Sequence, residues 1–212
     1  MFEPTRTIDR LPSANARRMR KIRLAAVEGL SRPGRTFAGA EAVFRTSQSS
    51  PSGYPLAILN WLYLAGLYRQ AVRHPGVTLF DQGVLQAVWS VAYGSKSLEN
   101  QASQSWVDRA GEFLHPGSVA VFIDVDDAAL RSRLANRHDG MSRLDAAMGI
   151  PGEAAEEAML RGRAALDIVD VIAHRLNEEG LLRVIRADSG SSDPESLASD
   201  LSARLMSGND RS

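Results

Sequence analysis

An aspartate that closes a short apolar run and opens a helical one is well placed to handle a proton or a metal-bound water. Asp81 is such a residue, ending VTLFD and beginning QGVLQAVWS. In open parallel sheets ligands sit beyond the carboxyl ends of the strands, so its carboxylate is expected to face a crevice. There it would orient a magnesium-bound water or accept the proton of an acceptor hydroxyl. An aspartate in this position also serves as a plain helix cap, and the sequence leaves both roles open. A second apolar run, VAVFIDV at 119–125, ends in acids too: Asp124, Asp126 and Asp127.

Guanidinium groups form the second chemical set. Arg133 and Arg137 are four residues apart on one helical face, Arg143 follows in a glycine-bearing stretch, and Arg161 and Arg163 lie farther on. Planar forks on a loop suit the spread negative charge of a phosphoryl group in transfer. The alternative is exposed arginines pairing with nearby acids, in a chain whose only lysines are Lys21 and Lys96.

Composition narrows the classes. The 212 residues are 44% apolar, enough for one well-cored domain over 1–212. Lys plus Arg equals Asp plus Glu at 25 each, so no global field draws the protein to nucleic acid or a membrane. The first 45 residues nonetheless hold ten basic residues against four acids. With no cysteine and four scattered histidines, neither a disulfide framework nor a zinc site is expected, and a reducing, cytoplasmic setting is favoured. The most apolar stretch, 55–68, is too short to cross a bilayer.

The elements that must position these groups follow from periodicity. Residues 1–15 read as extended or disordered. A basic amphipathic helix is predicted over 16–30, with Met19, Ile22, Ala26 and Leu30 at helical spacing among Arg17, Arg18, Arg20, Lys21 and Arg23. A short helix over 38–46 and a loop at 47–53 come next. A strong helix over 55–73 leads to a strand at 77–81. Helices over 83–93 and 98–114, a strand at 119–125 and a helix over 127–137 follow. Residues 138–151 read as irregular, and 138–163 as lid-like. A long helix over 153–179 capped by Gly180, a strand at 181–187 and a last helix over 194–206 complete the pass. Strands alternating with helices imply an α/β fold, a parallel sheet covered on both faces.

Three segments in this order resemble P-loop kinases of the nucleoside and nucleotide type, the thymidylate-kinase-like enzymes in particular. GVTLFDQGVLQAVWS resembles their third strand with its aspartate motif, and FIDVDDAALRSRLANRHDGMSRLD resembles the next strand and the arginine-bearing lid. VIRADSGSSDPESLASDL resembles the last strand, base-side loop and final helix. The likeness spans 55–206, and it implies a three-layer α/β/α P-loop fold, ATP and Mg2+ as cofactors and a small acceptor. It would set Asp81 against the acceptor or the metal, with Gln82 where these enzymes often have arginine. Arg133, Arg137 and Arg143 would cover the triphosphate, and Asp188, Ser189 and Gly190 would border the donor base. The helix bearing Trp61, Tyr63 and Tyr68 would flank the acceptor pocket, although a core stripe is the better reading for any single one of these aromatics.

The family's defining loop, GxxxxGK[ST] after the first strand, is missing. Gly34 and Gly39 have the glycine spacing but lack the lysine, whereas Gly94-Ser95-Lys96-Ser97 follows a helix without the upstream glycine. In the family the loop-bearing strand lies between the strands matching 77–81 and 119–125. Its loss predicts either direct pairing of those two or an exposed ladder that invites association, a homodimer included. The expectation is therefore a truncated or misassigned start and little or no kinase activity, with a degenerate pseudokinase as second possibility. The competing function is a non-catalytic module in which the basic N-terminal helix contacts nucleic acid or an acidic partner.

Overall fold

The computed structural model describes residues 14–73, 77–80, 83–96, 104–115, 117–135, 152–188 and 194–207. The chain divides into two compact units, one of residues 1–114 and 163–176, the other of 115–162 and 177–212.

The first unit is helical. Helices α1 (Ala14–Ser31) and α2 (Pro33–Phe44) are followed by α3 (Gly53–Ala71), α4 (Val84–Gly94) and α5 (Gln104–Gly111). Proline accounts for the tight join between the first two. Pro33 takes the opening turn of α2, where its missing N–H costs nothing, so α2 starts five residues before the periodicity suggested. α3 is the hub, packing against α1, α2 and α4. It buries Ala57, Trp61, Leu64 and Leu67, while α4 buries Val84, Ala87, Val88, Val91 and Ala92. Two glycines allow this density. A Cβ on Gly66 would stand 3.3 Å from the Leu24 carbonyl oxygen of α1, and one on Gly39 would stand 2.8 Å from the Trp61 ring.

The second unit holds a two-stranded sheet. Strand β1 (Val119–Asp124) pairs in parallel with β2 (Arg183–Asp188), in a register that sets Val121 beside Ile185 and Asp124 beside Asp188. Helix α6 (Asp127–Ala135) follows β1, and α8 (Pro194–Ser207) follows β2. Helix α7 (Glu153–Glu178) gives residues to both units, with Ile168, Val169, Ile172, Ala173 and Leu176 buried at helical spacing. Gly180, at φ +71°, sits just beyond its end, where the left-handed backbone favours glycine.

The coarse α/β expectation holds: the chain is mostly helical with a small parallel sheet. The three-layer P-loop sandwich is not formed among the described residues, whose only sheet is the β1–β2 pair. The strand expected at 77–81 also differs, since Val77 to Phe80 join no ladder. Val77 and Leu79 are 66% and 65% exposed. β-Branched and apolar residues favour a strand only when a neighbouring strand takes their backbone groups, and among the described residues none does. β1 is similarly half-finished. Val119, Val121 and Ile123 are solvent-exposed, whereas Ile185 and Ala187, beside Val121 and Ile123 on β2, are buried.

Candidate functional site

The carboxyl ends of β1 and β2 carry the acids that the sheet rule singles out. Asp124 and Asp188 are register partners, and the Arg186 guanidinium lies 3.7 Å from Asp124 while covering the Phe122 ring at 5.1 Å. Arg186 thereby offsets the repulsion of two adjacent carboxylates. Asp126 has a local role: its Oδ1 accepts the Ala129 N–H at 2.8 Å, capping α6. Among the described residues no group of three His, Asp or Glu side chains converges to hold a metal. Asp81, the carboxylate that the resemblance assigns to magnesium, lies outside those residues, as do Gln82, Arg137, Arg143, Ser189 and Gly190. Arg133 lies on α6, with its side chain outside the described set. Among the described residues there is therefore no metal-binding geometry through which a catalytic step can be traced.

One α6 arginine is described in full, and it makes a structural pair. Arg131 donates through both terminal nitrogens to the two oxygens of Glu156, each at 2.8 Å. The fork raises the guanidinium's pKa and lowers that of the carboxyl, chiefly through the hydrogen bonds themselves.

The aromatics expected beside an acceptor occupy different surroundings. Trp61 is 5% exposed and meets Trp106 and Phe113 edge-on at 5.4 and 5.1 Å. The crevice beside it encloses about 10 Å³, roughly the minimum that one water needs. Tyr63 receives Lys21 over its face at 5.5 Å. Tyr68 stacks on Phe80 at 4.3 Å, and its hydroxyl accepts the Val84 N–H at 3.2 Å. It thus ties Phe80 and Val84 to α3. Burial pushes its pKa up, against the smaller lowering by the Val84 bond.

A cavity among the described residues lies elsewhere, at the amino end of α3. It measures about 480 Å³ and is walled by Phe44, Tyr54, Pro55 and Ile58, with Gln48, Ser49 and Lys96 bringing polar atoms. Its frame is a knot between the 46–49 loop and the end of α4. The Ser49 N–H donates to the Gly94 carbonyl at 2.7 Å, and the Lys96 N–H to the Ser47 carbonyl at 2.9 Å. The Ser95 hydroxyl donates to the Thr46 carbonyl, and Gln48 Nε2 donates to Thr46 Oγ1 at 2.6 Å and to the Val91 carbonyl at 3.0 Å. In the sequence, Gly94-Ser95-Lys96-Ser97 stands out only as an incomplete nucleotide-binding pattern. The loop that pairs with Lys96 through Ser47 lies about 50 residues earlier in the sequence, so no local pattern reveals the cavity.

No protein-family model, curated protein or solved structure matches this chain.

Proposed function

We propose that the chain is the acceptor- and lid-bearing part of a P-loop-kinase-like phosphotransferase, which in complete form moves the terminal phosphoryl group of ATP, with Mg2+, to a nucleoside, nucleotide or other small acceptor. The carrying observation is the state of β1. It pairs in parallel with β2, the order expected for the last two strands of such a sheet. Among the described residues its other edge has no partner strand, and Val119, Val121 and Ile123 are exposed. That is where a strand bearing a phosphate loop would join, to build a three-layer α/β/α arrangement. Backbone groups and apolar side chains left open at an edge favour such an addition. Without the phosphate loop the chain is expected to have little or no kinase activity. In this reading Asp81 faces the acceptor, and Arg133, Arg137 and Arg143 close over the phosphates.

A thermal-shift screen of nucleosides and nucleotides with Mg2+ tests the acceptor half. A ligand at about a hundred times its Kd stabilises the native state by roughly 2.7 kcal/mol, a readable rise in Tm. If no nucleoside or nucleotide moves the midpoint, the assignment fails.

A second reading, a non-catalytic binding module, is favoured by α1. Arg18 and Arg23 stand exposed there without an acidic partner among the described residues, beside exposed Met19, Ile22 and Val27. Salt-sensitive retention of RNA or DNA, lost when Arg18 and Arg23 become alanine, would support it. No salt-dependent retention would remove it.

A further inference from the structure

We infer that the cavity at the amino end of α3 is a binding site for a small aromatic anion, a single ring bearing one carboxylate, sulfonate or phosphate. The site is independent of the phosphotransferase reading, because none of the residues assigned to phosphoryl transfer lines it.

Its wall supplies the aromatic half of the specificity. Phe44 and Tyr54 stack with ring centroids 5.1 Å apart and planes 23° from parallel, and Ile58 and Pro55 continue the apolar surface. Phe44 is 58% exposed, leaving apolar surface that a further ring can cover. At about 480 Å³ the space fits a ligand of one or two rings.

The charge half comes from Lys96. It lines the same cavity, its side chain is exposed, and among the described residues it has no acidic partner. Its backbone is fixed by the bond to Ser47, so the ammonium stem starts from a rigid point. Tyr54 and Pro55 belong to the first turn of the 19-residue α3, whose positive dipole end adds to the field of the lysine. Ser49 contributes a hydroxyl at the rim. A lysine and a helix amino terminus lining the same cavity as a ring stack select an anion attached to a ring. A neutral ring forgoes the charge, and a free inorganic anion forgoes the stack.

Titrating the full chain with phenyl phosphate by isothermal calorimetry and ligand-observed NMR tests this, with benzyl alcohol as the neutral ring and inorganic phosphate as the ringless anion. Saturable 1:1 binding is expected for phenyl phosphate, with both controls weaker by about tenfold or more, as befits a charge contact in a partly desolvated cleft. Lys96→Gln should cost about the same factor and erase the preference for phenyl phosphate over benzyl alcohol, while Arg23→Gln, outside the cavity, should change nothing. Ile58→Trp, which fills the space, should abolish binding of both rings, and circular dichroism checks that each variant folds. The proposal is overturned if phenyl phosphate shows no saturable binding, if Lys96→Gln leaves the preference intact, or if Arg23→Gln weakens binding as much as Lys96→Gln does.

Discussion

Arg69 of α3 places its Nε 3.2 Å from a carboxylate oxygen of Glu28 on α1, and Glu28 is one of the few charged residues in the interior, at 3% exposure. The approach is by charge, since that oxygen makes no well-angled hydrogen bond. Arg69 also donates to the Ser31 hydroxyl at 3.0 Å, and Ser31 donates to the Glu28 carbonyl at 3.2 Å. One guanidinium thus ties the last turn of α1 to α3. Removing it alone leaves a buried, uncompensated carboxylate, so Arg69→Met should destabilise the protein by about 3 kcal/mol or more. The double variant Glu28→Leu/Arg69→Met should recover most of that loss. Urea unfolding of the three proteins decides it: a double variant no better than Arg69→Met would mean that the charge is not what matters.

Tyr68 makes stability depend on alkaline pH. Its folded-state pKa is raised above the ordinary value near 10, chiefly by burial, so the fold prefers the neutral phenol. That contribution is fully present below the unfolded pKa and is lost as pH rises through the folded one. Tyr68→Phe should cost about 1 kcal/mol at neutral pH, because the Val84 N–H loses its acceptor. It should also flatten the decline in urea midpoint above about pH 10. Equal alkaline declines in wild type and variant would assign the effect to other groups.

The helical part of this fold is legible in the sequence because its signals are local. The apolar spacing along 55–71 and Gly180 each mark an element from within a few residues. The run at 77–80 misleads for the opposite reason. Its β-branched, apolar composition is that of a strand, but a strand exists only by pairing, and the partner is not written into the run itself. The knot of Thr46, Gln48 and Ser95 was equally invisible, because it joins a loop to a helix end that follows 43 or more residues later. Of the candidate site residues, Trp61 and Tyr68 show how one aromatic stripe yields two roles: the first is enclosed by Trp106 and Phe113, the second bridges the strand-like run and α4.

Gly39 tests how rigid the Trp61 cluster is. A methyl added there would meet two atoms of the indole at 2.8 and 2.9 Å, and Trp106 and Phe113 block the ring from retreating. Gly39→Ala should destabilise by about 1–3 kcal/mol, as overpacking does, and shift the tryptophan emission. Gly34→Ala is the control, because nothing lies within 4 Å of its added methyl. If both substitutions are equally harmless, α2 slides freely on α3 and the packing described is not tight.

The open flank of β1 has a consequence in solution. Val119, Val121 and Ile123 are 36%, 40% and 52% exposed on a strand whose only ladder partner among the described residues is β2. Bare N–H and C=O groups beside such a surface are a template for another strand, so the isolated chain should self-associate as its concentration rises. A charge on that surface opposes a second strand without touching the β1–β2 hydrogen bonds. Val121→Lys should therefore shift sedimentation-velocity profiles toward the monomer, with little change in urea midpoint, while Arg18→Glu on α1 should not. Unchanged association in Val121→Lys, or equal suppression by Arg18→Glu, would place the contact away from β1. It would also weaken the case that this edge is where a further strand belongs.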